Sequence, residues 1–158
     1  MAETKSKQAE VMVSMLNFQS GIYQNAYEDL TNEKSFERPG ENSNHINWLL
    51  GHILTCRYML ANICGVEEQD PYNRMYFPAL DSSNDYKTLD EIKSHWNGIS
   101  EKLVKAISEL SDEELHAEIP NMGTKFDLIN FFIYHEAYHL GQIGYSRKLV
   151  GLPAMKSN

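Results

Sequence analysis

Two stretches hold the side chains best suited to chemistry: Asn44-His45-Ile46-Asn47-Trp48-Leu49-Leu50-Gly51-His52 and Tyr134-His135-Glu136-Ala137-Tyr138-His139-Leu140-Gly141-Gln142. On a helix His135 and His139 stand about 6 Å apart along the axis and roughly 40° apart around it. Imidazoles at that spacing can both reach one divalent cation at about 2.0–2.1 Å. They share a stripe with Leu128, Phe131, Phe132 and Gln142, so they are expected to point inward. Buried imidazoles with no acid on their stripe need polar partners, and a metal ion supplies one. The alternative is a pair of core histidines satisfied by hydrogen bonds alone.

His135-Glu136-x-x-His139 also matches a zinc-protease pattern in which the Glu is the general base. The continuation fails, because Gln142 and Tyr145 stand where the longer form of that pattern needs Gly and His, and only 19 residues follow His139. A third ligand must come from upstream. His52 is the best candidate, on a stripe with His45, Leu49, Cys56 and Met59, beside a Gly51 that permits close approach. His45 lies about 10.5 Å further up the axis and reads as a capping or surface residue. Cys56 is either a soft fourth ligand or a small apolar core residue. His95 and His116 sit among charged neighbours and read as solvated. Glu136, rotated by about 100° from His135, is expected to face a neighbouring helix or solvent rather than an ion. The expected set is therefore one divalent metal ion on His52, His135 and His139. Three neutral imidazoles leave coordination positions open, the arrangement of a catalytic site. A thiol entering there would be deprotonated near neutral pH, whereas a bound water would serve a hydrolase. A closed four-ligand site would instead make a non-enzymatic, metal-stabilised bundle or interaction module.

Four amphipathic segments must carry these residues. The first runs over about 5–31 and the second over 44–64, with Gly65 placed to end it in a left-handed conformation. The third opens on a Thr88/Glu91 capping box and repeats Leu89, Ile92, Trp96, Ile99, Leu103, Ala106 and Leu110. Ser111 with Glu114 opens a short extra turn. The fourth runs from Thr124–Asp127 to Val150 and is expected to bury Leu128, Phe131, Phe132, Ile143, Leu149 and Val150. With no period-2 run, the class is all-α: a four-helix bundle with a long connection between helices 2 and 3, one domain over residues 1–158. That connection, 66–87, carries Tyr72, Met75, Tyr76 and Phe77, so it is expected to pack as a crossover with its own cluster or as a lid.

Composition excludes several partners. Of 158 residues, 14 are Lys or Arg and 22 Asp or Glu, giving −8. Such a chain repels phosphate backbones, so no nucleic-acid partner is expected. The start, MAETKSKQAE, lacks an apolar leader core, and no stretch approaches the ~18 apolar residues of a membrane span. Cys56 and Cys64 would lie about 12 Å apart on one helix, beyond disulfide reach. A reducing cytoplasm fits these features.

The stretch Trp48-Leu49-Leu50-Gly51-His52-Ile53, followed by His135-Glu136-Ala137-Tyr138-His139-Leu140-Gly141-Gln142-Ile143, resembles the DinB/YfiT-like superfamily of metal-dependent enzymes over nearly the whole chain. The resemblance implies a four-helix bundle with a divalent ion (zinc, nickel or iron in relatives) held by His52, His135 and His139. It implies chemistry such as thiol-dependent S-transfer or maleylpyruvate isomerisation, with a bacterial low-molecular-weight thiol as co-substrate, and homodimers are common. Relatives often carry a third His between the last two, where this chain has Tyr138. Any carboxylate on the thiol is expected to meet Arg57, Arg74 or Arg147.

Overall fold

A computed structural model describes residues 4–156, so the first three residues of the amino-terminal stretch read above lie outside the described range. The element order is α1 (Lys7–Asn25), α2 (Asn32–Ser35), α3 (Ile46–Ile63), α4 (Leu89–Ser108), α5 (Asp112–Leu115), β1 (Glu118–Ile119), β2 (Gly123–Thr124) and α6 (Lys125–Leu149). The all-α class holds, apart from the antiparallel β1–β2 pair that places Glu118 opposite Thr124. α3 packs against α6 and α4, and α1 packs against the same two. Among the described residues no helix is long and apolar enough to cross a membrane.

Local sequence explains the ends. Ser6 caps α1, while Thr88 with Glu91, Ser111 with Glu114 and Thr124 with Asp127 form reciprocal capping boxes. Gly65 takes φ +92° after α3, the left-handed stop expected of it. α1 ends at Asn25, short of residue 31, because the chain turns over 26–29 and Thr31 caps a separate helix.

The buried face of α6 differs from the expected one. Phe131 and Leu149 are 55% and 54% exposed, while Ile129, Ile133, Glu136, Leu140, Ile143 and Arg147 are buried. Apolar residues surround this helix, so periodicity did not single out a face, and two charged residues occupy the true core stripe. Arg147 donates to the carbonyls of Ala26, Glu28 and Pro153 and ties the end of α6 to the turn after α1.

Arg57 on α3 is the second buried cation, 1% exposed. Its Nε donates to Glu136 Oε2 at 2.9 Å and its Nη2 to Oε1 at 2.8 Å. The remaining donors reach Ser20 Oγ and the Leu16 carbonyl on α1 and Ser100 Oγ on α4. All five N–H groups are thus taken, and the guanidinium lies 4.0 Å from the Trp96 ring centroid. One side chain binds all four long helices.

The 66–87 segment is fastened to α3. Asp70 accepts from Thr55 Oγ1 and from the amides of Tyr72 and Arg74. Tyr76 is fully buried, with its ring over Gly51.

Removing one member of the buried ion pair strands the other charge. Arg57→Met should cost roughly 3–5 kcal/mol in denaturant unfolding, and Arg57→Met/Glu136→Leu should recover most of that loss. A Cβ at Gly51 would come far inside van der Waals contact of three Tyr76 ring atoms. Gly51→Ala should therefore cost about 1–3 kcal/mol through overpacking, read by the same measurement.

Candidate metal centre

α3 supplies His52 and α6 supplies His135 and His139 one helical turn apart. The three imidazoles come together: His52 Nε2 lies 3.3 Å from His135 Nε2, and His139 Nε2 lies 3.1 Å from the same atom. The potential ligand atoms all fall within 4.8 Å of one another. Four donors placed tetrahedrally at about 2.0–2.1 Å from a zinc ion would be spaced by about 3.3 Å. The donor spacing fits such an ion.

Two hydrogen bonds aim the nitrogens. His52 Nδ1 lies 2.7 Å from the Tyr76 carbonyl, which only accepts, so Nδ1 carries the proton. His139 Nδ1 pairs with Gln142 Oε1 at 2.7 Å, one turn along α6. Both Nε2 lone pairs are left facing the cluster, the pattern by which metal-ligating histidines are oriented. Trp48 stacks on His52 with centroids 4.7 Å apart and planes 11° apart. His135 Nδ1 is buried with no partner.

Electrostatics keep the cluster neutral. Burial lowers the His52 and His139 pKa values. For His135, burial and then the nearby His139 and His52 bring the value down to about 4. Neutral imidazole is the ligating form, so these shifts favour an ion at neutral pH.

The other candidates fall elsewhere. His45 is the N-cap of α3, with Nδ1 accepting the Trp48 amide at 2.9 Å. Cys56 Sγ lies 3.7 Å from His52 Nε2 but outside the three-residue group, and burial pushes its thiol up to about 12. Glu136 is turned onto Arg57. His116 is exposed, as expected, whereas His95 is half-buried at the edge of Tyr72. Of the three arginines considered for a substrate carboxylate, Arg57 and Arg147 are 1% exposed and committed to internal bonds, so only Arg74 is open to solvent. Sequence reasoning missed the Tyr76 carbonyl, which carries no side-chain signal. Gln142, three residues after His139, was visible on the stripe but without a role.

The lowered histidine values set a pH dependence. The unfolded chain takes up protons below about 6.5, while folded His135 and His45 stay neutral until about 4. The unfolded state then binds more protons, so stability falls as pH drops through that window. Melting of metal-free protein should show a falling midpoint between those limits, and His45→Asn should flatten part of the slope while keeping the cap.

No curated protein matches this chain. The family model described as the DinB superfamily matches residues 18–143, a range from the middle of α1 to near the end of α6 that includes all three clustered histidines. The chain belongs to the DinB superfamily.

Proposed function

We propose that this protein is a divalent-metal-dependent enzyme, a thiol-dependent S-transferase whose four long helices form a four-helix bundle and whose ion is held by His52, His135 and His139. The observation that carries the reading is the convergence of three Nε2 atoms, two of them aimed by Nδ1–H bonds to Tyr76 O and Gln142 Oε1. A bound divalent ion supplies Lewis acidity and favours the thiolate form of a thiol. The protein's own residues hold the imidazoles neutral, fix the tautomers of His52 and His139 and keep Trp48 against one face of His52. Glu136, the residue a hydrolytic mechanism would use as base, is locked in a bidentate pair with Arg57. Thiol transfer needs no such base, which favours it over hydrolysis.

The reading takes residues 1–158 as one domain working in the cytoplasm, where buried Cys56 and Cys64 stay reduced. It also includes a homodimer through α1. The stretch 11–25 carries no charge in a chain of −8, and Val11, Met15 and Phe18 are exposed along it, so a second copy can approach there without like-charge repulsion.

Purified tag-free protein should contain about one divalent ion per chain by elemental analysis. His52→Ala, His135→Ala and His139→Ala should each lose most of it, and His45→Ala should keep it. Full occupancy in His52→Ala would overturn the three-histidine site. Free metal at 100 times its dissociation constant adds roughly 2.7 kcal/mol, so chelation should lower the melting temperature. That drop should persist at pH 6 and fade toward pH 4, where protons displace the ion from His135. Transfer of a low-molecular-weight thiol to a panel of soft electrophiles should require His139, whereas metal-dependent ester hydrolysis without thiol would favour a hydrolase.

A further inference from the structure

Each imidazole of the cluster has a solvent-exposed aromatic ring against it. Phe77, from the 66–87 segment, lies over His52 with centroids 6.4 Å apart and planes 27° apart. Phe131 stacks on His135 at 5.7 Å with the same 27° angle, and Tyr138 meets the edge of His139 at 5.1 Å. The three rings are 48%, 55% and 54% exposed respectively. Large apolar side chains left in water on three sides of one polar cluster are not explained by the core, which they do not enter.

The surroundings are also short of charge. α3 carries a single charged side chain, Arg57, and α6 carries a single one between Asp127 and Arg147, Glu136. These two neutralise each other in the interior. Residues 75–80, Met-Tyr-Phe-Pro-Ala-Leu, carry none. A chain with 36 charged residues, 14 basic and 22 acidic, therefore presents three uncharged aromatic rings beside this cluster.

We infer that Phe77, Phe131 and Tyr138 form a binding rim for a neutral aromatic or apolar molecule, and that in the metal-free protein the rim selects against an anionic group beside the histidines. Ring faces and edges offer offset-stacked and edge-to-face packing to an aromatic ligand. In the metal-free protein a carboxylate entering beside the histidines would lose its hydration without meeting a cation from the stretches of α3 and α6 that carry them, because Arg57 is spent on Glu136. The inference names the substrate class for the proposed metal site and rests on that reading for where a reaction would occur. Binding at the rim itself needs no ion.

The test uses two probes of similar size, benzyl alcohol and benzoate, on the metal-free full-length protein. Saturation-transfer NMR reports contact, and the histidine ring resonances locate it. Benzyl alcohol should perturb the His135 and His139 signals and bind at least tenfold more tightly than benzoate. Phe77→Ala and Phe131→Ala should each weaken benzyl alcohol at least fivefold, with unchanged far-ultraviolet circular dichroism, while Tyr138→Phe should bind as the wild type does. Equal affinity for benzoate, or undiminished benzyl alcohol binding in both alanine variants, would overturn the rim. So would binding that disappears as protein concentration rises, because a second copy would then cover the rings. Metal uptake is measured separately on the same samples. Uptake without probe binding sinks the rim and spares the metal site, and probe binding without uptake does the reverse.

Discussion

The bidentate bond between Arg57 and Glu136 is the constraint from which the rest of the arrangement follows. A guanidinium and a carboxylate withdrawn from water each carry a desolvation cost of several kcal/mol, so the pair tolerates little displacement. Arg57 satisfies its remaining donors on α1 and α4, which leaves one register in which all of its bonds form together. Glu136 lies one residue from His135 and three from His139, and Arg57 lies five from His52. A slip of α6 past α3 by one residue would break the ion pair and separate the imidazoles in the same movement. Apolar packing alone would allow neighbouring registers at small cost, since Ile133, Leu140 and Ile143 interchange readily with similar shapes.

The same pair decides what a familiar motif can do. In His135-Glu136-x-x-His139 the glutamate is separated from its neighbouring histidine by about 100° around the helix. In a zinc protease that rotation sets the carboxylate beside the reacting water. Here the core lies on that side, so the carboxylate faces Arg57, while the two histidines meet Phe131 and Tyr138. Identical spacing yields different chemistry because helix rotation, fixed by packing, sets which neighbour the glutamate meets. A site built this way leaves Glu136 outside the cluster, and the surrounding residues contribute orientation and neutrality to the imidazoles.

Periodicity and spacing were enough to read the long helices, three of the capping residues and the trio of histidines, each being a local pattern on one helix or two. The rotation of α6 was not legible. Its apolar residues lie on every side, so exposed Phe131 and Leu149 read as core, Glu136 falls between a neighbouring helix and solvent, and buried Arg147 reads as a partner for a substrate carboxylate. A charged residue reveals its burial only through a partner far away in sequence, 79 residues in the case of Glu136 and Arg57. The end of α1 was misread for a related reason: Ala26 and Tyr27 continue an apolar face that the backbone has already left. His45 reads as either a cap or a surface residue in a helix running from about 44, and the start of α3 at Ile46 makes it the cap.

The 66–87 segment has a part in the site that its composition did not reveal. Tyr76 is buried over Gly51, where only a residue without a Cβ lets the ring approach α3. That approach brings the Tyr76 carbonyl within 2.7 Å of His52 Nδ1 and places the next residue, Phe77, over the same imidazole. Asp70 holds the start of the segment to Thr55, and the Tyr76 hydroxyl accepts the Lys87 amide near its end. The loop is therefore anchored on both sides of the two residues that touch His52. Its aromatic content leaves a choice between a self-packed crossover and a lid, and the structure shows the self-packing. Self-packing through Tyr72, Tyr76 and Tyr86 is what holds the carbonyl still enough to fix the tautomer of His52. Loosening the segment would free the Nδ1 proton to move to Nε2 and take a lone pair away from the cluster, so order in this connection sets which form of His52 the cluster meets.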